Sequence, residues 1–320
     1  MARKPRRKNK IPSIRKLKKY GIIAINVVIL LVGITWYAFQ PQARKQEVNR
    51  LVSIYAENRK NISLIELASD IWTLYYGKNL VPCDVMPGEQ PLFGGIPTTE
   101  QNLAVRTLQN DAYWVGYSEE RRAPVWCAYR LFSPPKNAKA SERPGQFMVD
   151  DRTIAKVTSD HYTGSGFDRG HMAPNNAIAI CYGEKAQQQT FLMSNIVPQR
   201  HDLNAGLWKT LESKELYAYA PRCKEIWIIT GPIYPKKIVR TMPSGIPIPD
   251  AFYKIIVDQV DNQLRALAFI FEHNADKNKP LDHFLASIDE IEERTGFDFF
   301  NELPAEVQDS LEAQKLGSIW

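Results

Sequence analysis

The run GIIAINVVILLVGITWYAF, Gly21 to Phe39, limits this chain more than any other stretch, because so apolar a segment has few settings in which it is stable. Only Asn26 and Thr35 break it with clearly polar side chains. As a helix rising about 1.5 Å per residue it spans roughly 28 Å, enough to cross the hydrocarbon core of a bilayer. Arg3, Lys4, Arg6, Arg7, Lys8, Lys10, Arg15, Lys16, Lys18 and Lys19 precede it without one acidic residue, whereas Arg44, Lys45, Arg50 and Arg59 are the basic residues soon after. This asymmetry places the N-terminus in the cytoplasm and everything beyond about Gln40 on the far side. Trp36 and Tyr37 suit the outer interface. The competing readings are a cleaved signal peptide, or a basic targeting tail followed by a buried helix. YAFQPQA offers no small-x-small cleavage site, which favours an uncleaved single-pass anchor.

The same tail distorts the charge. The whole chain is at +6, but without those ten residues 31 Lys and Arg face 35 Asp and Glu, a balance of −4. Any contact with nucleic acid must therefore come from a local patch rather than the global field. Cys83, Cys127, Cys181 and Cys223 all follow the anchor, with no C-x-x-C pair, which argues against a zinc site. Outside the cytoplasm, four cysteines predict up to two disulfides, in any of three pairings.

The domain plan that follows is a basic tail at 1–20, the anchor at 21–39, a helical stalk at 40–80 and one catalytic domain at 81–320. In the stalk, Leu51, Ile54, Tyr55 and Asn58 share a helical face, and ISLIELASDIWTLYY supplies a second helix; packing on the domain is the first expectation, with a dimerising stalk as the alternative. Downstream, YWVGYSEE and PVWCAYRLF read as strands, EIWIITGPIY as a buried strand ending at a Gly-Pro turn, and AFYKIIVD with LRALAFIF as a hairpin around QVDNQ. PLDHFLASIDEIEERTG has helical spacing with Gly296 as its stop. The mixture predicts an α+β domain.

Chemistry concentrates in SGFDRGHMAP. Gly170 is expected to turn the backbone tightly, so that Arg169 and His171 project into one small volume. A histidine titrating near 6.5 can take a proton from water, arginine offers a fork for phosphate oxygens, and Asp168 can orient the loop or pair with a cation. Further on, SNIVPQRHDLNAGLWKTLE passes from an extended, proline-containing stretch into a helix starting at Asp202, a good N-cap residue. Asn204, Trp208 and Glu212 then fall at i, i+4 and i+8. The Asn204 amide oxygen is a hard donor suited to magnesium, and Glu212 can accept hydrogen bonds from the ion's waters.

With GSGFDRGHMAP, SNIVPQ and LNAGLWKTLE in this order, the chain resembles the DNA/RNA non-specific endonucleases, ββα-metal (His-Me finger) nucleases related to mitochondrial endonuclease G. The resemblance continues through IITGPIY and IPIPDAFYKIIV to IDEIEERTGFDFF, over about residues 95 to 303. It implies a central antiparallel sheet flanked by helices, with His171 as general base, Asn204 as metal ligand, Arg169 at the phosphate, Glu212 beside the metal's waters and Asn195 as the active-site asparagine. It also implies Mg²⁺, with Mn²⁺ as a substitute, and hydrolysis of DNA and RNA to 5′-phosphate and 3′-hydroxyl ends through grip on the phosphate backbone. A further upstream arginine is expected, and both Arg143 and Arg152 stand open for it. A homodimer is left open. His161, His201, His273 and His283 are read as structural. The alternatives are a membrane-tethered nucleic-acid receptor with an inactive site, against which intact His171, Asn204 and Glu212 argue, and a mitochondrial inner-membrane nuclease.

Overall fold

The structure, a computed structural model, describes residues 14–76, 79–86, 88–135, 138–238, 240–260 and 262–320. The expected basic positions from Arg3 to Lys10 lie outside them. Two compact units result, Met1–Ser53 and Ile54–Trp320. In the first, α1 (Ile14–Ala38) contains the window Tyr20–Ala38, of mean hydropathy 2.2 and with none of it buried, so it is long and apolar enough to cross a membrane. α2 spans Gln42–Glu57 and α3 Leu64–Tyr76.

The second unit begins well before residue 81, and α3 shows why. Its Glu66 accepts from Lys214 at 2.8 Å, and its buried Asp70 pairs with the buried Arg222, the Oδ1 contact being 2.6 Å. Withdrawing a carboxylate from a buried guanidinium costs several kcal/mol, about 3 to 5 in typical cases. The residues read as the end of a stalk are thus bonded into the catalytic domain.

An eight-stranded antiparallel sheet forms the frame. Its strands are β1 (Val81–Pro82), β3 (Arg106–Gln109), β4 (Tyr113–Ser118), β5 (Ala123–Phe132), β8 (Glu225–Ile233), β9 (Ala251–Val260), β10 (Gln263–Glu272) and β11 (Leu285–Ala286), with β2 (Thr98–Thr99) pairing separately with β12 (Phe297–Asp298). A third sheet is the hairpin of β6 (Asp168–His171) and β7 (Ile196–Gln199). The central strands are mostly apolar because both faces are buried, with Lys254 and Asp258 of β9 among the buried exceptions. In β8, Ile226 and Ile228 join one cluster with Leu207, Trp208 and Leu211, while Trp227 and Ile229 join another with Ile288, Ile291 and Val307. Helices α4 (Asn175–Tyr182), α5 (Glu184–Gln189), α6 (Lys209–Lys214) and α7 (Ala220–Cys223) lie between the hairpin strands or before β8, and α8 (Ile288–Thr295) and α9 (Ala305–Glu312) close the chain.

Three local expectations change. β8 does not turn at Gly231-Pro232 but runs on to Ile233; glycine is needed because a Cβ there would lie 2.5 Å from the Val125 carbonyl oxygen. The late helical stretch is a 3-10 turn at Leu281–Phe284, then a short strand, and is α-helix only from Ile288, where the Ser287 hydroxyl accepts from the Glu290 amide, to Thr295 before left-handed Gly296. The cysteines are all free, so the predicted disulfides do not form. Cys83 sits in one core cluster and Cys127 and Cys223 in the other, and Cys181 points at the Phe132 carbonyl at 3.7 Å. Cys223 instead accepts from Arg265 at 3.5 Å, and Cys127 faces the Asn195 carboxamide oxygen at 3.9 Å.

Candidate active site

The DRGH block is a strand, not a turn. Asp168 to His171 pair antiparallel with Gln199 to Ile196, so alternate residues share a face, which puts Arg169 with His171 and Asp168 with Gly170. Glycine is required at 170 for space: a Cβ would lie 2.5 Å from Oε1 and 2.8 Å from Cβ of the fully buried Gln199.

Around His171 the structure assembles two phenyl rings and two arginines. Phe147 and Phe191 lie 5.5 and 5.1 Å from the imidazole, centroid to centroid. Arg169 stands 5.7 Å over Phe147 and donates to the Ser159 carbonyl at 2.8 Å and the Thr163 hydroxyl at 3.1 Å. Arg143 stands 5.3 Å over Phe191. Burial first and the Arg143 charge second lower the His171 pKa, and the Arg169 backbone carbonyl that accepts from the ring opposes them, with the net at about 3. Nε2 is buried with no hydrogen-bond partner. The imidazole is therefore neutral at physiological pH, with its proton on the nitrogen facing Arg169 and its lone pair on Nε2.

The two upstream arginines differ in their partners. Arg152 bonds Asp150 through both oxygens, at 2.9 and 2.7 Å, and reaches the Gln109 carbonyl and the Asn110 side chain at 2.7 and 2.9 Å. It is committed to the fold. Arg143 is exposed and next to His171. Arg152→Ala should destabilise the protein by about 2 kcal/mol, discounted for the partial exposure of the arginine, and lower Tm by about 5 °C. Arg143→Ala should leave Tm in place but raise KM about tenfold, as expected for one charged hydrogen bond to phosphate. Thermal melts and initial rates on one preparation separate the two.

Asp168 organises the other half. Its Oδ2 accepts from Asn204 Nδ2 and meets His201 Nδ1, both at 2.9 Å. Because a carboxylate only accepts, it fixes the Asn204 amide with the nitrogen inward, and Asn204 Oδ1 accepts no hydrogen bond among the described residues. Such an oriented, neutral oxygen fits a hard divalent cation.

The helix carrying Asn204 departs from the simple spacing expected of it. Asp202 does not cap; it is itself helical and its carboxylate takes the Lys277 ammonium at 2.9 Å. Leu203–Trp208 forms a wide π-type turn with Gly206 out of helical geometry (φ −103°, ψ −107°), so Asn204, Trp208 and Glu212 do not follow from an unbroken i, i+4, i+8 ladder. Trp208 is core, edge-on to Phe252 and Phe271. Glu212 is pushed up to about 7 by burial, with Lys254 opposing and Glu215 adding to the rise. Lys254 and Glu215 are both fully buried and paired at 2.8 Å, and Tyr129 donates to Glu215 at 2.8 Å. A lone lysine inside the apolar strand AFYKIIV was the available signal for this network.

Asn195 and His273 hold the frame. The Asn195 amide is wholly used, accepting from Ala173 N at 2.8 Å and donating to the Ala173 and Thr190 carbonyls at 3.1 and 2.9 Å. It pins the chain two residues past His171. His273 Nε2 accepts from the Arg200 amide at 2.9 Å while Nδ1 faces the Pro249 carbonyl at 2.7 Å. His273 is buried and its pKa is also lowered, first by desolvation. Phe147, Phe191, Asp168's link to His201 and the Lys254 pair escaped sequence reasoning.

An antiparallel strand pair bearing His171, followed by a helix bearing the oriented Asn204 oxygen, is the arrangement of a ββα-type fold. A family model for DNA/RNA non-specific endonucleases matches residues 95–306, and the chain belongs to that family of metal-dependent nucleases; it is a DNA/RNA endonuclease, a hydrolase. Among its relatives, Nuclease C1 of Cunninghamella echinulata var. echinulata is 30% identical over 61% of this chain and 83% of its own. The nuclease of Serratia marcescens is 29% identical over 65% and 80%, and human mitochondrial endonuclease G 28% identical over 65% and 73%. A solved EndoG/EndoGI complex superposes with a TM-score of 0.61 at 22% identity, covering 72% of this chain and 99% of that one, which establishes the shared fold.

Proposed function

We propose that the protein is a membrane-anchored, Mg²⁺-dependent nuclease that cuts DNA and RNA without regard to sugar or sequence, with His171 as general base. The observation that carries this reading is the unpartnered Nε2 of a neutral imidazole, oriented by the Arg169 carbonyl and set between two arginine-bearing phenyl rings. Nε2 takes a proton from water as the water oxygen bonds to phosphorus and the bond from phosphorus to the 3′ oxygen breaks; that oxygen takes a proton from solvent, leaving 5′-phosphate and 3′-hydroxyl ends. Because Nε2 is shielded, substrate entry has to uncover it. Arg169 and Arg143 hold the non-bridging oxygens, and Asn195 positions the strand exit. Asn204 would hold Mg²⁺, or Mn²⁺ in its place, with Glu212 accepting hydrogen bonds from its waters; the ion supplies positive charge to the phosphate and the leaving oxygen. Groups that grip phosphates carry no direct base information, which accounts for low specificity.

The full chain in detergent should nick supercoiled plasmid and degrade single-stranded RNA in Mg²⁺, and EDTA should stop both. Cutting that survives EDTA, or no cutting of either substrate, would sink the proposal. The pH dependence assigns the groups. Neutral His171 persists down to about pH 3, whereas an ionised Glu212 requires pH above about 7. An acid limb of kcat/KM near pH 7 should therefore appear, and it should be missing from the residual activity of Glu212→Gln. In this proposal the limb belongs to Glu212, whereas the sequence alone led to the expectation that His171 would carry it.

For the anchor, the basic residues before Tyr20 and the unburied apolar helix support a cytoplasmic N-terminus and a nuclease domain across the membrane. Protease added outside spheroplasts should digest the domain; protection of it would reverse the orientation. With no disulfide formed, the cysteines lend that placement no support.

A further inference from the structure

The second core cluster, which contains Ile288, Ile291, Val307 and Leu311 of α8 and α9, borders a group of carboxylates that the nuclease chemistry does not use. Asp289 and Glu292 lie one turn apart on α8, and Glu312 ends α9; one oxygen from each falls within 4.8 Å of the others. Glu312 is 7% exposed, and its Oε1 is buried with no hydrogen-bond partner. A buried, unpartnered carboxylate oxygen aimed at two more carboxylates is unfavourable unless something positive lies between them.

The nearby cations are committed elsewhere. Lys315 bonds Glu290 at 3.3 Å, and Arg294 bonds Glu272 at 2.8 Å. Glu292 gives one oxygen to the Phe299 amide at 2.7 Å and keeps the other. Asp298 and Asp309 add to the negative field on Glu312, whose own burial together with these neighbours pushes it up to about 8.

We infer that Asp289, Glu292 and Glu312 form a second divalent-cation site, of calcium type, that clips α8 to α9 apart from the phosphodiester chemistry. All donors are carboxylate oxygens, which excludes the nitrogen and sulfur preference of a structural zinc site. Oxygens that lie within 4.8 Å of one another can be bridged by an ion about 2.3 to 2.6 Å from each, the range for calcium, which accepts irregular carboxylate geometry where magnesium demands a near-ideal octahedron. Asp289 is exposed and Glu292 partly so, which leaves one side of the site open for the waters that complete a coordination number of about 6 to 8.

The test is a thermal melt of the full chain in detergent, in EDTA and in millimolar Ca²⁺. The wild type should gain about 5 °C in Ca²⁺. Asn204→Ala should gain the same, which separates this site from the catalytic metal. Glu312→Gln should melt above the wild type in EDTA, because repulsion is relieved, and should not respond to Ca²⁺, while cleaving plasmid in Mg²⁺ at a rate within about twofold of wild type. Should Glu312→Gln fail to fold, Asp289→Asn, at an exposed position, must blunt the Ca²⁺ response. Equilibrium dialysis with radioactive calcium should find one ion per Asn204→Ala chain and none when Asp289→Asn is added. A wild type unmoved by Ca²⁺, or a Glu312→Gln shifted as far as wild type, overturns the inference. So does a protein stabilised by lowering the pH from 8 to 6 but not by Ca²⁺, since the cluster would then share a proton in place of a metal.

Discussion

Replacing His171 with alanine is expected to lower turnover on plasmid and RNA by about a thousandfold, the range for loss of a positioned general base. Affinity for nucleic acid should stay within a few fold of wild type. In the proposed mechanism the imidazole moves a proton and does not hold the phosphate, whereas Arg143 and Arg169 remain in place over their phenyl rings. Fluorescence anisotropy with a labelled duplex in EDTA measures the binding, and single-turnover cleavage in Mg²⁺ measures the step. The substitution removes a half-buried ring from between Phe147 and Phe191, so the melt must be recorded on the same sample. Near-normal turnover in a folded variant would remove His171 from the mechanism. A loss of binding equal to the loss of rate would make it a structural residue of the substrate groove.

Asn204→Ala should cost at least about a hundredfold in turnover and leave duplex binding in EDTA unchanged, because stabilisation of the transition state is lost while most of the phosphate grip remains. The neutral carboxamide matters here. It would hold the cation without cancelling its charge, so the full positive field acts on the phosphate. Asp168, which orients that amide at 2.9 Å, should behave as a weaker version of the same defect: Asp168→Asn is expected to raise the Mg²⁺ concentration for half-maximal rate by about 10- to 100-fold. Saturating Mg²⁺ should restore much of the rate in Asp168→Asn and little in Asn204→Ala. Equal rates for Asn204→Ala and wild type would place the ligand elsewhere.

Acid should weaken the fold as well as the chemistry. His171 and His273 are both held neutral, with pKa values below the ordinary 6.5. The unfolded chain takes up those protons first, so stability is full above about 6.5 and falls as the pH drops toward the folded values.

Much of this was legible along the chain because it depends on local pattern. Nineteen residues of apolar sequence declare a helix that can span a membrane, and two-sided apolar strands such as EIWIITGPI declare a sheet covered on both faces. The blocks GSGFDRGHMAP, SNIVPQ and LNAGLWKTLE state the chemistry through residue type and order. Their local geometry was misread where a neighbour far along the chain sets it. Gly170 is a glycine because Gln199 lies across it, and the helix at Asn204 widens at Gly206, a departure that periodicity does not encode.

By itself, then, the sequence determined the class of protein, the kinds of group available for catalysis and the presence of one apolar N-terminal helix, since each follows from residue type and short-range periodicity. Tertiary structure alone decided that Arg152 is bonded into the fold while Arg143 stands exposed beside His171, that four cysteines stay free, and that α3 belongs to the nuclease unit through Asp70 and Arg222. The same holds for three carboxylates from α8 and α9 that meet at one point. Each of these turns on whether two side chains distant in sequence come within a few ångströms. That distance is set by how the whole sheet closes its register and buries its two faces, and no window of neighbouring residues contains it.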